Sequence, residues 1–195
     1  MEKDKVINDC KLLIIGGSAG SLEVLMKIFP KLKIIDSFAI VIVLHRKSSE
    51  DTLLEELFAL KTEIPVKEVE DKTPLKPGNI YIAPSDYHLL FEKNGLLALD
   101  ISEKVNFSRP SIDVSFESAA EVYGESVVGI LLSGANADGT DGLNAIKNFG
   151  GKIIIQKPES SKIPFMPRNA ILNTSPDYIL DENEIFELIS NINSN

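Results

Sequence analysis

The chain is short of the residues that build disulfides and metal centres. Of its 195 residues one is cysteine, none is tryptophan and two are histidine. The single Cys10 excludes an internal disulfide and any cysteine-based zinc site. It leads into an apolar run and reads as a buried thiol. Long apolar runs are missing as well, and none approaches the roughly 20 residues of a membrane-spanning helix. No signal-peptide core follows Met1-Glu2-Lys3-Asp4-Lys5. The expectation is therefore a cytoplasmic protein without membrane insertion. Basic residues are outnumbered 20 to 29 by acidic ones, for a net charge of −9, and they form no cluster. Phosphate-backbone binding needs such clusters, so nucleic acid is excluded as a partner. Repeats and low-complexity tracts are also absent. An apolar fraction of 44% and a charged fraction of 25% describe an ordinary globular protein. The length fits one domain over residues 1–195, with its core between about residues 10 and 190.

What stands out is Leu12-Leu13-Ile14-Ile15-Gly16-Gly17-Ser18-Ala19-Gly20-Ser21. An apolar run stops at glycines, turns through one serine and hands over to a helical pattern. Gly16, Ser18 and Gly20 fit G-x-S-x-G, the sharp strand-to-helix turn that lifts a serine hydroxyl above a sheet edge. The following helix aims its free amides and positive end at whatever lies over the serine, which suits a developing oxyanion. A nucleophilic Ser18 needs a base and a carboxylate to orient that base.

The base can come from two places only. His45 follows Phe38-Ala39-Ile40-Val41-Ile42-Val43-Leu44, a β-branched run that reads as a strand buried on both faces. It repeats the position of Ser18 at a strand end and is the candidate base. His88, in Tyr87-His88-Leu89-Leu90-Phe91, reads as a hydrogen-bonded structural histidine. The carboxylate follows a third buried run, Val127-Val128-Gly129-Ile130-Leu131-Leu132. Asp138 and Asp141 both lie beyond it. Asp141, directly before Gly142 and Leu143, reads as a helix cap; Asp138, nearer the strand end, is the better orienting acid.

Strands alternating with helices predict a three-layer αβα fold with a mainly parallel, doubly wound sheet. Ligands in such sheets bind beyond the carboxyl ends of the strands, where Ser18, His45 and Asp138 can converge. The order Ser, His, Asp differs from the Ser, Asp, His of α/β-hydrolases. Apolar spacing predicts a helix over Ser21–Leu32 and another through Leu53, Leu54, Leu57 and Leu60. Ile80–Ala83 and His88–Phe91 are expected to pair about the turn at Pro84–Asp86, and Asn94-Gly95 marks a hairpin leading to Leu96–Leu99. Together these form an antiparallel hairpin insertion. Ile153–Ile155 reads as a strand, Lys157–Arg168 as irregular chain, and Glu184–Ile192 as a closing helix.

Four blocks then resemble the catalytic domain of the CheB family of chemotaxis protein-glutamate methylesterases. They are Ile15-Gly16-Gly17-Ser18-Ala19-Gly20; the strand ending at His45; Gly78-Asn79-Ile80-Tyr81-Ile82-Ala83-Pro84 with His88-Leu89; and Leu132-Ser133-Gly134-Ala135-Asn136-Ala137-Asp138-Gly139 with Gly142. Arg109-Pro110-Ser111-Ile112-Asp113 and Met166-Pro167-Arg168-Asn169-Ala170-Ile171 fit as well. The resemblance implies hydrolysis of glutamate methyl esters on chemoreceptor cytoplasmic helices, and deamidation of receptor glutamines. It assigns nucleophile, base and orienter to Ser18, His45 and Asp138, and implies no metal and no cofactor. The implied partner is the methylated chemoreceptor cytoplasmic domain, with a separate receiver domain or a receptor methyltransferase as further candidates. The chain departs from the family at Ala19, where Thr is frequent, and at Ser21, where a glycine is usual. It departs again at Gly134-Ala135-Asn136, which stands for Gly-Met-Gly. The methionine's amide is associated with the oxyanion hole, so the backbone N–H groups of Ala19 and Ala135 are the candidate donors. Arg109 is the candidate substrate contact. Most members carry an N-terminal receiver domain, which Met1–Lys11 is too short to form.

Other readings fit less well. G-x-G-x-x-G cannot be placed on Gly16–Ser21, which disfavours a dinucleotide site. A calcium loop starting at Asn136 would put Lys147 where the twelfth, acidic ligand belongs. The remaining alternative is a docking module, in which the changes at Ser21, Ala135 and Asn136 leave a weak enzyme that binds receptors or signalling partners.

Overall fold

β1 (Leu12–Gly17) and β2 (Ala39–Leu44) are buried at every residue, as uninterrupted apolar runs require of strands covered on both faces. The structure, a computed structural model, describes residues 7, 9–46 and 51–192. A polar loop expected over 46–51 and fraying expected of the last residues fall largely outside them.

β1 and β2 head a chain of alternating elements. α1 (Ser21–Ile28) separates them, and α2 (Asp51–Ala59) leads to β3 (Val66–Glu68), β4 (Thr73–Pro74) and β5 (Ile80–Ile82). Next come β6 (His88–Phe91), β7 (Leu96–Asp100), α3 (Ile112–Tyr123), β8 (Val127–Leu131) and α4 (Thr140–Asn148). β9 (Lys152–Gln156), α5 (Phe165–Asn173), β10 (Tyr178–Leu180) and α6 (Glu182–Ile192) close the chain. Seven strands form one sheet in the order β10-β9-β8-β1-β2-β5-β3, and all its pairs are parallel. From β1 the order runs one way through β2 and the other way through β8, so the topological switch lies at β1.

Side chains of each strand alternate between two cores. Leu13, Ile15, Ile40 and Ile42 face Leu25, Phe29, Phe58 and Ile189 in one. Leu12, Ile14, Val41 and Val43 face Ile112, Phe116, Leu143 and Met166 in the other. Helices α1, α2 and α6 therefore cover one face, while α3, α4 and α5 cover the opposite face. This is the three-layer arrangement that the sequence predicts. Among the described residues no helix is long and apolar enough to cross a membrane.

The middle of the chain differs from expectation. Ile80–Ile82 does not pair with His88–Phe91 but lies inside the parallel sheet, between β2 and β3. All three of its residues are buried, which a half-exposed hairpin strand would not allow. β6 pairs instead with β7 across the Asn94-Gly95 turn, and β4 joins β7 to complete a small antiparallel sheet. α1 ends four residues early in a tight turn at Phe29–Lys31, where Pro30 has no N–H to continue the helix. The segment read as irregular, Lys157–Arg168, contains the start of α5.

Candidate active site

Hydrogen bonds of the sheet run one or two residues past the strand ends and bring neighbouring loops together. His45 N donates to Gly17 O at 3.1 Å, and Ser18 N donates to Ser133 O at 2.9 Å. Ser18 and His45 thus stand side by side on neighbouring strands, about 4.8 Å apart by strand spacing. Ser18 follows β1, His45 follows β2, and Asp138 lies in the loop between β8 and α4. Gly20 makes the serine turn possible. It has φ +89°, and a Cβ there would lie 2.8 Å from Ser133 Oγ and 2.7 Å from Lys162 Cβ.

His45 Nε2 lies 2.6 Å from Asp138 Oδ2. The His45 side chain is 14% exposed and that of Asp138 not at all, so only the imidazole can be reached from solvent. Four donors surround the carboxylate. Ile112 N reaches Oδ2 at 2.7 Å, while Asp113 N and Ser111 Oγ reach Oδ1 at 3.0 Å each. Burial alone would raise Asp138, but the bonds from His45, Asp113 and Ile112 prevail and hold it below the ordinary carboxylate range. An ionised carboxylate only accepts, so His45 donates through Nε2–H and its Nδ1 is left as the basic nitrogen. Ser18 Oγ makes no direct hydrogen bond to His45. Such contacts are often long before substrate arrives.

Ser18 and His45 line one cleft of about 290 Å³ with Leu22, Leu44, Leu53, Leu54, Leu57 and Arg46. Its wall is mostly aliphatic. Arg46 Nη2 is held at the rim by Glu68 Oε2 at 2.7 Å and Ala83 O at 2.8 Å.

Gly134 borders the serine on the other side. A Cβ on it would lie 3.1 Å from Ser18 Cβ and 2.5 Å from Met166 Cε, so any larger residue has to displace the Met166 side chain and crowd the serine. Its carbonyl accepts from Met166 N at 2.9 Å, and its N–H donates to Ile163 O at 3.1 Å. The planar trans peptide turns Ala135 N–H away from that carbonyl and from α5. Ala19 and Ala135 are exposed, and among the described residues their amides find no acceptor.

Two further side chains lie outside the cleft. Arg109 is not among the cleft residues; its Nη1 donates to Ile101 O at 2.9 Å and Ser102 O at 2.8 Å. His88 is buried, receives Ser111 N on Nδ1 at 3.2 Å and donates through Nε2 to Glu103 O at 2.9 Å. That is the structural role read from the sequence. Among the described residues no group of three His, Cys, Asp or Glu could hold a metal ion.

Residues that sequence reasoning passed over hold the site together. Ser21 Oγ accepts from Ser18 N at 3.1 Å and donates to Ser133 O at 2.7 Å, which gives the family's missing glycine a replacement with a function. Ser133 Oγ lies 2.8 Å from Ala19 O and 3.1 Å from Ile163 O, and accepts from Ile163 N at 2.9 Å. Ser111 caps α3. Asp113, in its first turn, is pushed up to about 7 by burial, partly opposed by its bond from Gly142 N and reinforced by the neighbouring Asp138 charge. A cap followed by apolar residues at 112, 116, 119 and 120 was the available signal for α3.

A serine turn and a histidine–aspartate pair thus meet at the switch point of a parallel sheet in an αβα fold. The comparisons make the assignment specific. The CheB methylesterase family model matches residues 13–189. The chain therefore belongs to the CheB methylesterase family. It is 36% identical over 180 residues to the protein-glutamate methylesterase/protein-glutamine glutaminase of Thermotoga maritima, covering 91% of this chain and 52% of that one. A Leptospira interrogans protein provisionally given the same name is 43% identical over 187 residues, 94% of this chain and 95% of its own. The crystal structure of the Thermotoga maritima CheB methylesterase catalytic domain superposes with a TM-score of 0.88 at 35% identity, covering 92% of this chain and 97% of that one.

Proposed function

We propose that the chain is a serine esterase that hydrolyses glutamate methyl esters on the cytoplasmic helices of chemoreceptors. The observation that carries this reading is the 2.6 Å contact of His45 with Asp138, in register beside Ser18. Ser18 Oγ attacks the ester carbonyl carbon as its proton passes to His45 Nδ1. Asp138 holds the ring in the required tautomer and stabilises the imidazolium. Ala19 and Ala135 N–H groups receive the oxyanion. The intermediate then collapses, and methanol leaves with the proton from Nδ1. Water, giving a proton to Nδ1, attacks the acyl-enzyme. Collapse returns that proton to Ser18 and frees the glutamate side chain as its acid, which gives the second water proton to solvent and leaves as the carboxylate.

The leucine-walled cleft supports an ester as substrate. The glutamyl methylenes and the methyl group are apolar and match its wall. The product carboxylate is charged and disfavoured there, which promotes release. A glutamine amide is the weaker electrophile, its nitrogen lone pair being delocalised into the carbonyl, and its nitrogen is the poorer leaving group, so deamidation is the slower of two activities of one site.

Mass spectrometry of a methylated chemoreceptor cytoplasmic fragment tests both. The expected result is loss of methyl groups from esterified glutamates, followed by slower conversion of glutamine to glutamate. A fragment that binds yet keeps all its methyl groups would favour the docking module instead.

A further inference from the structure

Asp113 plays no part in the three-residue reading, yet its carboxylate is buried against the loop that carries Asp138. Asp113 Oδ1 accepts from both Gly139 N and Gly142 N at 2.8 Å, and Oδ2 accepts from Asn106 Nδ2 at 3.3 Å. In return Asp138 accepts Ile112 N and Asp113 N. The two acids exchange helices: Asp138 takes amides at the start of α3, and Asp113 takes amides at the start of α4.

A helix start favours a negative charge, but a neutral cap also serves, as Ser111 does in the same turn. Placing a second carboxylate beside Asp138 brings like charges together at a buried position. What a carboxylate adds over a hydroxyl is reach. One oxygen spans two amides three residues apart and fixes the loop between β8 and α4 against α3.

We propose that Asp113 is a positioning residue for the hydrolysis: by holding Gly139 N and Gly142 N it sets the angle at which Asp138 meets His45. This rests on the roles proposed above for Ser18, His45 and Asp138. The essential property is acceptor geometry, not charge. An asparagine keeps the Oδ1 acceptor, an alanine removes it, and a glutamate keeps the charge while displacing it by one methylene.

The test compares wild type, Asp113→Asn, Asp113→Ala and Ser18→Ala by methanol release and by the far-downfield NMR signal of the His45 Nε2 proton. Folding is checked by thermal unfolding. Asp113→Asn is expected to keep kcat within about threefold and to retain the signal. Asp113→Ala is expected to lose about ten- to a hundredfold in kcat at little-changed KM, and to lose the signal. If the alanine variant does not fold, Asp113→Glu takes its place, with the same loss expected. Unimpaired Asp113→Ala with its signal intact would overturn the proposal, as would Asp113→Asn as impaired as alanine. If wild type releases no more methanol than Ser18→Ala, the esterase reading fails. The signal then decides about Asp113 alone: kept in asparagine and lost in alanine supports it, while kept in both overturns it.

Discussion

His45 Nε2 and Asp138 Oδ2 stand 2.6 Å apart although they belong to loops 93 residues apart in sequence. The pairing uses the ring nitrogen opposite to that of the familiar serine protease arrangement, in which Nδ1 faces the acid. The chemistry is unchanged, because the acid's partner fixes which nitrogen is left basic.

Replacing Asp138 by Asn tests that dependence. The amide offers one acceptor where the carboxylate serves four donors, and its NH₂ cannot accept from His45. Loss of the tautomer lowers kcat on the order of 10⁴-fold. Steady-state methanol release measures it, and a loss under tenfold would remove Asp138 from the mechanism.

The two buried carboxylates make stability depend on pH in separate windows, with Asp141 a further negative charge facing Asp113. Asp138 is held low, so its contribution is present above the ordinary value of 3.8 and is lost as pH falls through its folded value. Asp113 is raised from 3.8 to about 7, so the folded state holds a proton that the unfolded chain has released. Stability therefore falls as pH rises from about 4 to 7 and levels off above that, by an amount on the order of a few kcal/mol. Urea midpoints at pH 5 and pH 8 should fall less in Asp113→Asn than in wild type. Equal falls would contradict the assignment.

Gly134 touches both the serine and α5. In Gly134→Ala the new methyl meets Met166 Cε at 2.5 Å and Ser18 Cβ at 3.1 Å. A stability cost of about 1–3 kcal/mol follows from overpacking, together with loss of most turnover. Measured against a Met166→Ala background, itself destabilised by truncating a buried core side chain, Gly134→Ala should recover its stability cost but not turnover, since the serine contact persists. Recovery of both would place the damage in α5 alone.

Ser133 ties the serine turn to the segment before α5. Its Oγ is shared by Ala19 O, Ile163 O and Ile163 N. Ser133→Ala removes these bonds from partly exposed backbone groups, of which Ile163 O keeps Gly134 N, at about 0.5–1.5 kcal/mol. The urea midpoint should drop with the m-value unchanged; an unmoved midpoint would show that the hydroxyl is dispensable.

Much of the fold was legible because β1, β2 and β8 are short β-branched runs that end in glycine or polar turns. Ser18 and His45 directly follow such runs and Asp138 lies in the loop after a third, and a parallel sheet gathers those ends at one edge. The pairing of β5 was not legible. Three apolar residues with no alternation fit either sheet, and only packing against β2 and β3 decides. The roles of Asp113, Ser21 and Ser133 were hidden for another reason. Each acts on backbone groups 25 or more residues away, and no local pattern encodes such bonds.

The most direct test is methanol release from a methylated chemoreceptor cytoplasmic fragment, with wild type and Ser18→Ala side by side. The account predicts release by wild type and none above background by the variant, which should still fold and bind the fragment. Equal release by both, or none by either, would contradict Ser18 as the nucleophile of an esterase.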